Sequence, residues 1–109
     1  MIERLSRRLL LLGCVVPLVA GAGPGSSGRH QVDIRGLAFR PRDLVVTVGD
    51  TVSWVNYDIV PHTVTFGGGA AGRDEVPPGK RFTLIVSARQ PLSYRCRYHP
   101  NMTGTVVAR

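Results

Sequence analysis

The sequence predicts an all-β protein, an antiparallel sandwich of about seven to eight short strands. Three observations lead to this fold class. Apolar and polar residues alternate with a period of two from about residue 31 onward, which is the pattern of half-buried strands. Turn-forming residues separate these segments at short intervals. No helical period runs for longer than one turn, and 109 residues suffice for one domain at most.

The first half of the domain contains three predicted strands and one short apolar segment. Residues 32–34 open the first strand, and the apolar residues 37–39 are followed by a break at a proline. In residues 44–48 the apolar side chains alternate up to Gly49-Asp50, a pair typical of hairpin turns. In residues 52–56 the first, third and fifth side chains, Val, Trp and Asn, share one face.

The second half contains four predicted strands and one long loop. Residues 62–66 place His, Val and Phe on one face, and the irregular segment 67–79 ends in a Pro-Pro-Gly turn. Residues 82–86, 92–96 and 104–108 again alternate. Their inward positions are predicted to complete the apolar interior of the sandwich.

Residues 1–22 are predicted to be a secretory signal peptide. Three arginines and one glutamate precede an apolar run from Leu9 to Val19, and Ala20-Gly21-Ala22 supplies the small residues that signal peptidase reads. Cleavage after Ala22 leaves 87 residues, a flexible leader at 23–30 and a folded domain at 31–109. The protein is therefore expected to be exported, to the periplasm or another extracytoplasmic space.

Two sequence features leave the export route and the form of the exported protein undecided. Ser6-Arg7-Arg8-Leu9-Leu10-Leu11 resembles a twin-arginine signal, but paired arginines also occur in ordinary secretory signals. Leu11-Leu12-Gly13-Cys14 resembles a lipoprotein cleavage box, although the apolar run before Cys14 is short and continues beyond it. We interpret Cys14 as a residue that is discarded with the signal peptide, with a lipid anchor as the alternative. The apolar run from Leu9 to Val19 is too short to span a membrane.

The predicted mature chain is basic and contains one thiol. Its 11 Lys and Arg against 6 Asp and Glu give a net charge of +5. This charge suits an acidic protein partner, whereas the sequence contains no motif for nucleic acid. Cys96 cannot form an internal disulfide, and a lone thiol in an oxidising compartment calls for another role, such as binding a metal. We expect a monomer.

Seven residues near the end of the chain, 96–102, carry the most informative motif. They place a thiolate (Cys96), an imidazole (His99) and a thioether (Met102) on one short turn. Copper takes these donors in sites with two His, one Cys and a weak axial Met. Strand alternation points Cys96 and His62 toward the interior, and Met102 follows if the last strand begins near it. Arg95 and Arg97 are predicted to point outward.

Each of these residues also has an ordinary structural interpretation. A single histidine at position 62 is more often a hydrogen-bonded turn residue, and a single methionine or cysteine is more often part of a core. Tyr94-Arg95-Cys96 also resembles the tyrosine corner of immunoglobulin domains, but no second cysteine precedes Trp54 in the mature chain. Only the combination of four donors favours a metal site.

From about residue 39 to residue 107 the sequence resembles the cupredoxins, and among them the amicyanin and plastocyanin-like group. The matching segments are Gly49-Asp50-Thr51-Val52-Ser53-Trp54-Val55-Asn56, Pro61-His62-Thr63-Val64 and Tyr94-Arg95-Cys96-Arg97-Tyr98-His99-Pro100-Asn101-Met102-Thr103-Gly104-Thr105-Val106. The two-residue gaps on each side of His99 are similar to the short ligand loop of amicyanin. The resemblance implies a Greek-key β-sandwich and one type 1 copper per chain.

The resemblance also implies roles for individual residues. His62, Cys96, His99 and Met102 would bind the copper, and Asn56 would tie the two ligand-bearing loops together near the sulfur. His99 would reach an apolar surface, rimmed by Pro61, Pro100 and Tyr98, where electrons pass. The implied function is to carry single electrons between larger redox proteins.

Two other functions stay open at this stage. The domain could store or deliver copper without an electron-carrier role, or it could be a zinc-bound or metal-free structural sandwich. Catalysis is not expected, because four protein ligands leave the metal no open position for a substrate. The glycine-rich segment 67–72 has no functional interpretation.

Overall fold

The computed structural model describes residues 28–67 and 74–109. The predicted signal peptide, the alternative lipid anchor at Cys14, most of the predicted leader and residues 68–72 of the glycine-rich segment lie outside these ranges. In the described part of the chain, no helix is long and apolar enough to cross a membrane.

Ten short strands make up this part of the molecule. They are β1 (Arg29–Ile34), β2 (Phe39–Arg40), β3 (Asp43–Val46), β4 (Thr51–Asn56), β5 (His62–Thr63), β6 (Thr65–Phe66), β7 (Glu75–Val76), β8 (Arg81–Ile85), β9 (Leu92–Arg95) and β10 (Thr103–Ala108). One sheet has the order β2-β1-β4-β8 and a second has the order β3-β10-β9-β6, while β5 and β7 form a separate pair. The all-β prediction is confirmed.

The sheets are mixed, although the sequence predicted antiparallel pairing throughout. β1 runs parallel to β4, and β10 runs parallel to β3. The predicted hairpin at Gly49-Asp50 is the clearest difference, because the strands before and after it lie in different sheets. This turn carries the chain from one layer to the other. Periodicity shows which side of a strand is buried, but it does not identify the neighbouring strand.

Four predicted elements also differ in extent from the observed ones. β1 begins at Arg29, so the last two residues of the predicted leader belong to a strand. The predicted strand 62–66 is divided at Val64, whose amide donates to the carbonyl of Asp74 while β5 pairs with β7 and β6 pairs with β9. The predicted loop 67–79 therefore contains a strand, β7. Strand β3 ends at Val46, and Val48 is 41% exposed.

The core lies between the two four-stranded sheets and centres on Trp54, which is fully buried. Its ring contacts Phe82 and Phe66 at centroid distances of 5.7 and 6.0 Å and meets Tyr94 edge-on at 5.3 Å. Val52 and Asn56, which were predicted to share a face with Trp54, are also fully buried. The buried face of β4 therefore extends on both sides of Trp54, from Val52 to Asn56.

Asp50 fixes the turn between β3 and β4. Its carboxylate accepts hydrogen bonds from the amides of Thr47 at 3.0 Å and Gly28 at 2.7 Å, and lies 2.8 Å from the His30 ring. The Thr47 amide, the His30 ring and the Gly28 amide lower the pKa of Asp50 from 3.8 to about 2. His30, the last residue of the predicted leader, is thus part of a turn-stabilising cluster.

This cluster predicts a defined acid sensitivity. Because the pKa of Asp50 is lower in the folded protein, the carboxylate stabilises the fold above about pH 4, and this stabilisation is lost as the pH falls toward 2. Urea unfolding of wild type and Asp50→Asn should therefore differ most above pH 4 and converge near pH 2. A difference between the two proteins that stays constant over this range would contradict the prediction.

Candidate metal centre

The segment 96–102 connects β9 to β10 at one end of the sandwich. These strands are antiparallel, and Arg95 lies opposite Thr103 where the connection begins and ends. Two backbone hydrogen bonds close the connection, from the Cys96 amide to the Met102 carbonyl at 3.0 Å and from the Met102 amide to the His99 carbonyl at 2.8 Å. The three donors of the motif are therefore held on one tight loop.

The structure brings His62 to this loop from β5. The Cys96 Sγ lies 3.8 Å from the His62 Nδ1 and 3.7 Å from the His99 Nδ1. The ligand atoms of the three residues lie within 4.8 Å of one another. His62 and Cys96 are fully buried, while His99 is partly exposed. Met102, the fourth predicted donor, is 3% exposed.

These separations fit a metal ion. Bonds of about 2.3 Å to sulfur and about 2.0 Å to nitrogen that meet at a trigonal angle place their donor atoms about 3.7 Å apart. Soft thiolate and thioether ligands select copper in its lower oxidation state, and imidazole suits both of its oxidation states. The donor set therefore fits copper.

Asp58 orients the His62 ring. Its carboxylate lies 2.8 Å from the His62 Nε2 and also accepts the amides of Gly36 at 2.8 Å and Leu37 at 3.0 Å. Burial raises the pKa of Asp58, but the Leu37 and Gly36 amides and the His62 ring outweigh it and hold the pKa below its ordinary value. An ionised carboxylate accepts a hydrogen bond from the Nε2–H group of His62. The Nδ1 atom of the ring is then unprotonated, and its lone pair faces Cys96.

The comparisons with known proteins agree with this donor set. Residues 27–109 match the family model described as "Copper binding proteins, plastocyanin/azurin family". The chain belongs to this family. The resemblance to the cupredoxins seen in the sequence is therefore confirmed, and copper is the cofactor that this family of sites binds.

Individual cupredoxins are similar over most of the domain. Amicyanin from Paracoccus denitrificans is 34% identical over 87 residues, which cover 75% of this chain and 66% of that protein. Plastocyanin from Prochlorothrix hollandica is 28% identical over 123 aligned residues, which cover 94% of each chain. A solved structure of the reduced state of an amicyanin variant has a TM-score of 0.67 at 29% identity, covering 83% of this chain and 89% of that one. The chain thus spans about two thirds of the amicyanin relative.

In this cupredoxin the link between the two ligand-bearing loops is made by Thr63. Its amide donates to the Cys96 Sγ at 3.4 Å, and its hydroxyl accepts the Arg97 amide at 2.8 Å. Asn56 was expected to make this link. It instead donates to the carbonyls of Val60 at 2.8 Å and Val76 at 2.9 Å and accepts the Asp58 amide. Asn56 therefore braces the His62 side of the centre.

Arg97 does not simply point into solvent. Its guanidinium binds the Asp74 carboxylate at 2.9 Å, and Asp74 is 3% exposed. Arg95, on the other side of the cysteine, is exposed as predicted. The sequence analysis missed Asp58, Thr63 and Asp74. Only Asp58 had a usable signal, because an acid four residues before a ligand histidine is within reach of its ring.

The His99 side of the cupredoxin is open to solvent. A shallow hollow there is lined by Leu37, Tyr98, His99, Pro100, Asn101 and Met102. Tyr98 and Pro100 were expected beside His99, whereas Pro61 is exposed outside the lining of this hollow. Leu37 lies there with a positive φ of 57° and is 51% exposed. The Asp58 carboxylate holds the amide of Leu37 in this uncommon conformation.

Proposed function

We propose that this protein is an exported type 1 copper protein that carries single electrons between larger redox proteins. One copper per chain would be bound by His62, Cys96, His99 and Met102. The observation that carries this proposal is the approach of both imidazole Nδ1 atoms to one buried thiol, at 3.7 and 3.8 Å. When bound there, copper supplies one-electron chemistry between Cu(I) and Cu(II).

The residues around the donors support a carrier role. The Asp58 carboxylate fixes one imidazole, and the two backbone hydrogen bonds of the 96–102 loop fix the other donors relative to one another. A site held rigidly changes little between two oxidation states, so little reorganisation opposes the transfer of an electron. With four protein donors, no position is left for a substrate, which favours a carrier over an enzyme.

The surface suggests how the carrier meets its partners. His99 is the partly exposed donor, and apolar side chains surround it. Exposed arginine at position 95 and the net positive charge suit redox partners with an acidic docking surface. The N-terminal pattern of residues 1–22 supports export to the periplasm or another extracytoplasmic space.

Titration of the metal-free protein with Cu(II) tests the proposed function. We expect an intense visible band from thiolate-to-copper charge transfer at one equivalent, and rapid, reversible one-electron reduction with copper retained. A parallel titration with Zn(II) is the control and should stay colourless. A protein that gives no such band is not a type 1 copper protein. Rapid loss of Cu(I) to a chelator would instead indicate a copper storage or delivery role.

A further inference from the structure

A buried carboxylate beside the centre has no role in binding the metal. Asp74 is 3% exposed, and its two oxygens bind different partners. One accepts a hydrogen bond from the Arg97 guanidinium at 2.9 Å, and the other accepts one from the Thr65 hydroxyl. Burying a charge is costly unless it is paired and hydrogen-bonded, so this arrangement calls for an explanation.

The hydrogen bonds around Asp74 form a closed ring with a defined direction. A carboxylate only accepts, so the Thr65 hydroxyl donates to Asp74. The Thr63 hydroxyl, 2.9 Å away, must then donate to the Thr65 oxygen, and it accepts the Arg97 amide at 2.8 Å. The Arg97 side chain returns to Asp74. The ring of Arg97, Thr63, Thr65 and Asp74 therefore begins and ends on the residue that follows Cys96.

The ring joins the two parts of the chain that supply the donors. Thr63 follows His62 in β5, and Arg97 follows Cys96. The amide of Thr63 donates to the Cys96 sulfur at 3.4 Å, so the ring holds the group that contacts the thiolate. Both threonines and the carboxylate are buried, which strengthens these bonds relative to bonds in water.

We propose that the ring of Arg97, Thr63, Thr65 and Asp74 is a positioning device that holds the Thr63 amide against the Cys96 thiolate and thereby raises the reduction potential of the centre. The inference rests on the proposed function. An amide proton at the sulfur favours the oxidation state that leaves more negative charge on the thiolate, which is the reduced state. None of the four residues binds the metal in this role.

Thr65→Val tests the ring without changing any charge. It removes the hydroxyl that connects Thr63 to Asp74, and Thr65→Ser restores it as the matched control. We expect Thr65→Val to lower the reduction potential and to shift or broaden the thiolate band, while Thr65→Ser stays close to wild type in both. Equal potentials and unchanged bands in all three proteins would overturn the proposal.

Variants of the two charged residues of the ring, Arg97 and Asp74, distinguish a positioning role from a simple effect of charge on the reduction potential. If they acted only through their charges, Arg97→Ala would lower the potential and Asp74→Ala would raise it. If the ring instead positions Thr63, both variants should lower the reduction potential, because each of them releases Thr63. Arg95→Ala removes the same charge two positions away. Arg95 lies opposite Thr65 in the β6–β9 pair, but its side chain makes none of the ring's hydrogen bonds, so this variant should shift the potential less than Arg97→Ala. Opposite shifts in the two ring variants would overturn the proposal.

Hydrogen exchange in the metal-free protein tests the ring independently of copper. The amides of Thr63 and Arg97 should exchange at least about tenfold faster in Thr65→Val, because Thr63, which donates one of these amides and accepts the other through its hydroxyl, is no longer held in place. Amides in the β9–β10 pairing should keep their wild-type rates, which also shows that the variant is folded. Unchanged exchange at Thr63 and Arg97 would overturn the ring. A protein that lacks the copper band but shows this exchange pattern would overturn the proposed function and leave the ring standing.

Discussion

Replacing Cys96 with alanine is expected to abolish the visible band that Cu(II) gives with the wild-type protein. The band requires a thiolate bound to copper, and Cys96 is the only cysteine after the predicted signal peptide. Imidazole and thioether donors alone cannot replace it. Absorption recorded during a Cu(II) titration measures the loss directly, and we expect no residual band at any copper concentration.

Two comparisons make this result specific to the thiolate. Met102→Leu keeps the thiolate and both imidazoles, so it should retain an intense band while changing the reduction potential, since the axial ligand tunes that potential. Circular dichroism should show that Cys96→Ala is folded, because the lost sulfur leaves only a small cavity. An intense band in folded Cys96→Ala would exclude Cys96 as the thiolate ligand.

The convergence of His62, Cys96 and His99 was predictable because much of the information for it is local. Cys96, His99 and Met102 lie within seven residues of one another, so their proximity follows from the chain itself. Strand alternation correctly placed Cys96 on the buried side and Arg95 on the exposed side. His62 is distant in sequence, and the family resemblance supplied its pairing with the loop.

The surroundings of the centre were less predictable because they depend on contacts between distant segments. Strand periodicity predicts that Arg97 points outward, but its long side chain reaches Asp74, 23 residues away in the sequence. The same limit explains the turn at Gly49-Asp50, where a local hairpin signal is overridden by pairing with other strands. Thr63 likewise acts through hydrogen bonds to Cys96 and Arg97 that no sequence pattern predicts.

Adding one methyl group at Gly104 is expected to disturb the fold strongly. Gly104 lies directly opposite Tyr94 in the β9–β10 pair, and the tyrosine ring covers it. A Cβ atom at this position would overlap the Tyr94 hydroxyl oxygen and lie 2.5 Å from its Cζ. Gly104→Ala should therefore lower the free energy of unfolding by about 1–3 kcal/mol, or more if the ring cannot move.

The surroundings of Tyr94 favour the upper end of this range. Its ring packs edge-on against Phe39 at 4.7 Å and against Trp54 at 5.3 Å, so it cannot rotate away without disturbing the core. Urea unfolding of the metal-free protein gives the measurement. Gly67→Ala is the matched control, because a Cβ there meets no atom of the described part of the chain within 4 Å, and its stability should stay close to that of wild type.

Substitutions of Tyr94 then identify the cause of the stability loss in Gly104→Ala. Tyr94→Phe removes a buried hydroxyl that has no hydrogen-bond partner among residues 28–67 and 74–109, so by itself it should change stability by less than about 1 kcal/mol. It should not rescue Gly104→Ala, because the Cζ atom stays in place. Tyr94→Leu should recover part of the loss caused by Gly104→Ala, since the smaller side chain makes room for the methyl group. Additive effects of Gly104→Ala and Tyr94→Leu would show that the two residues do not clash, because only residues in contact give non-additive changes.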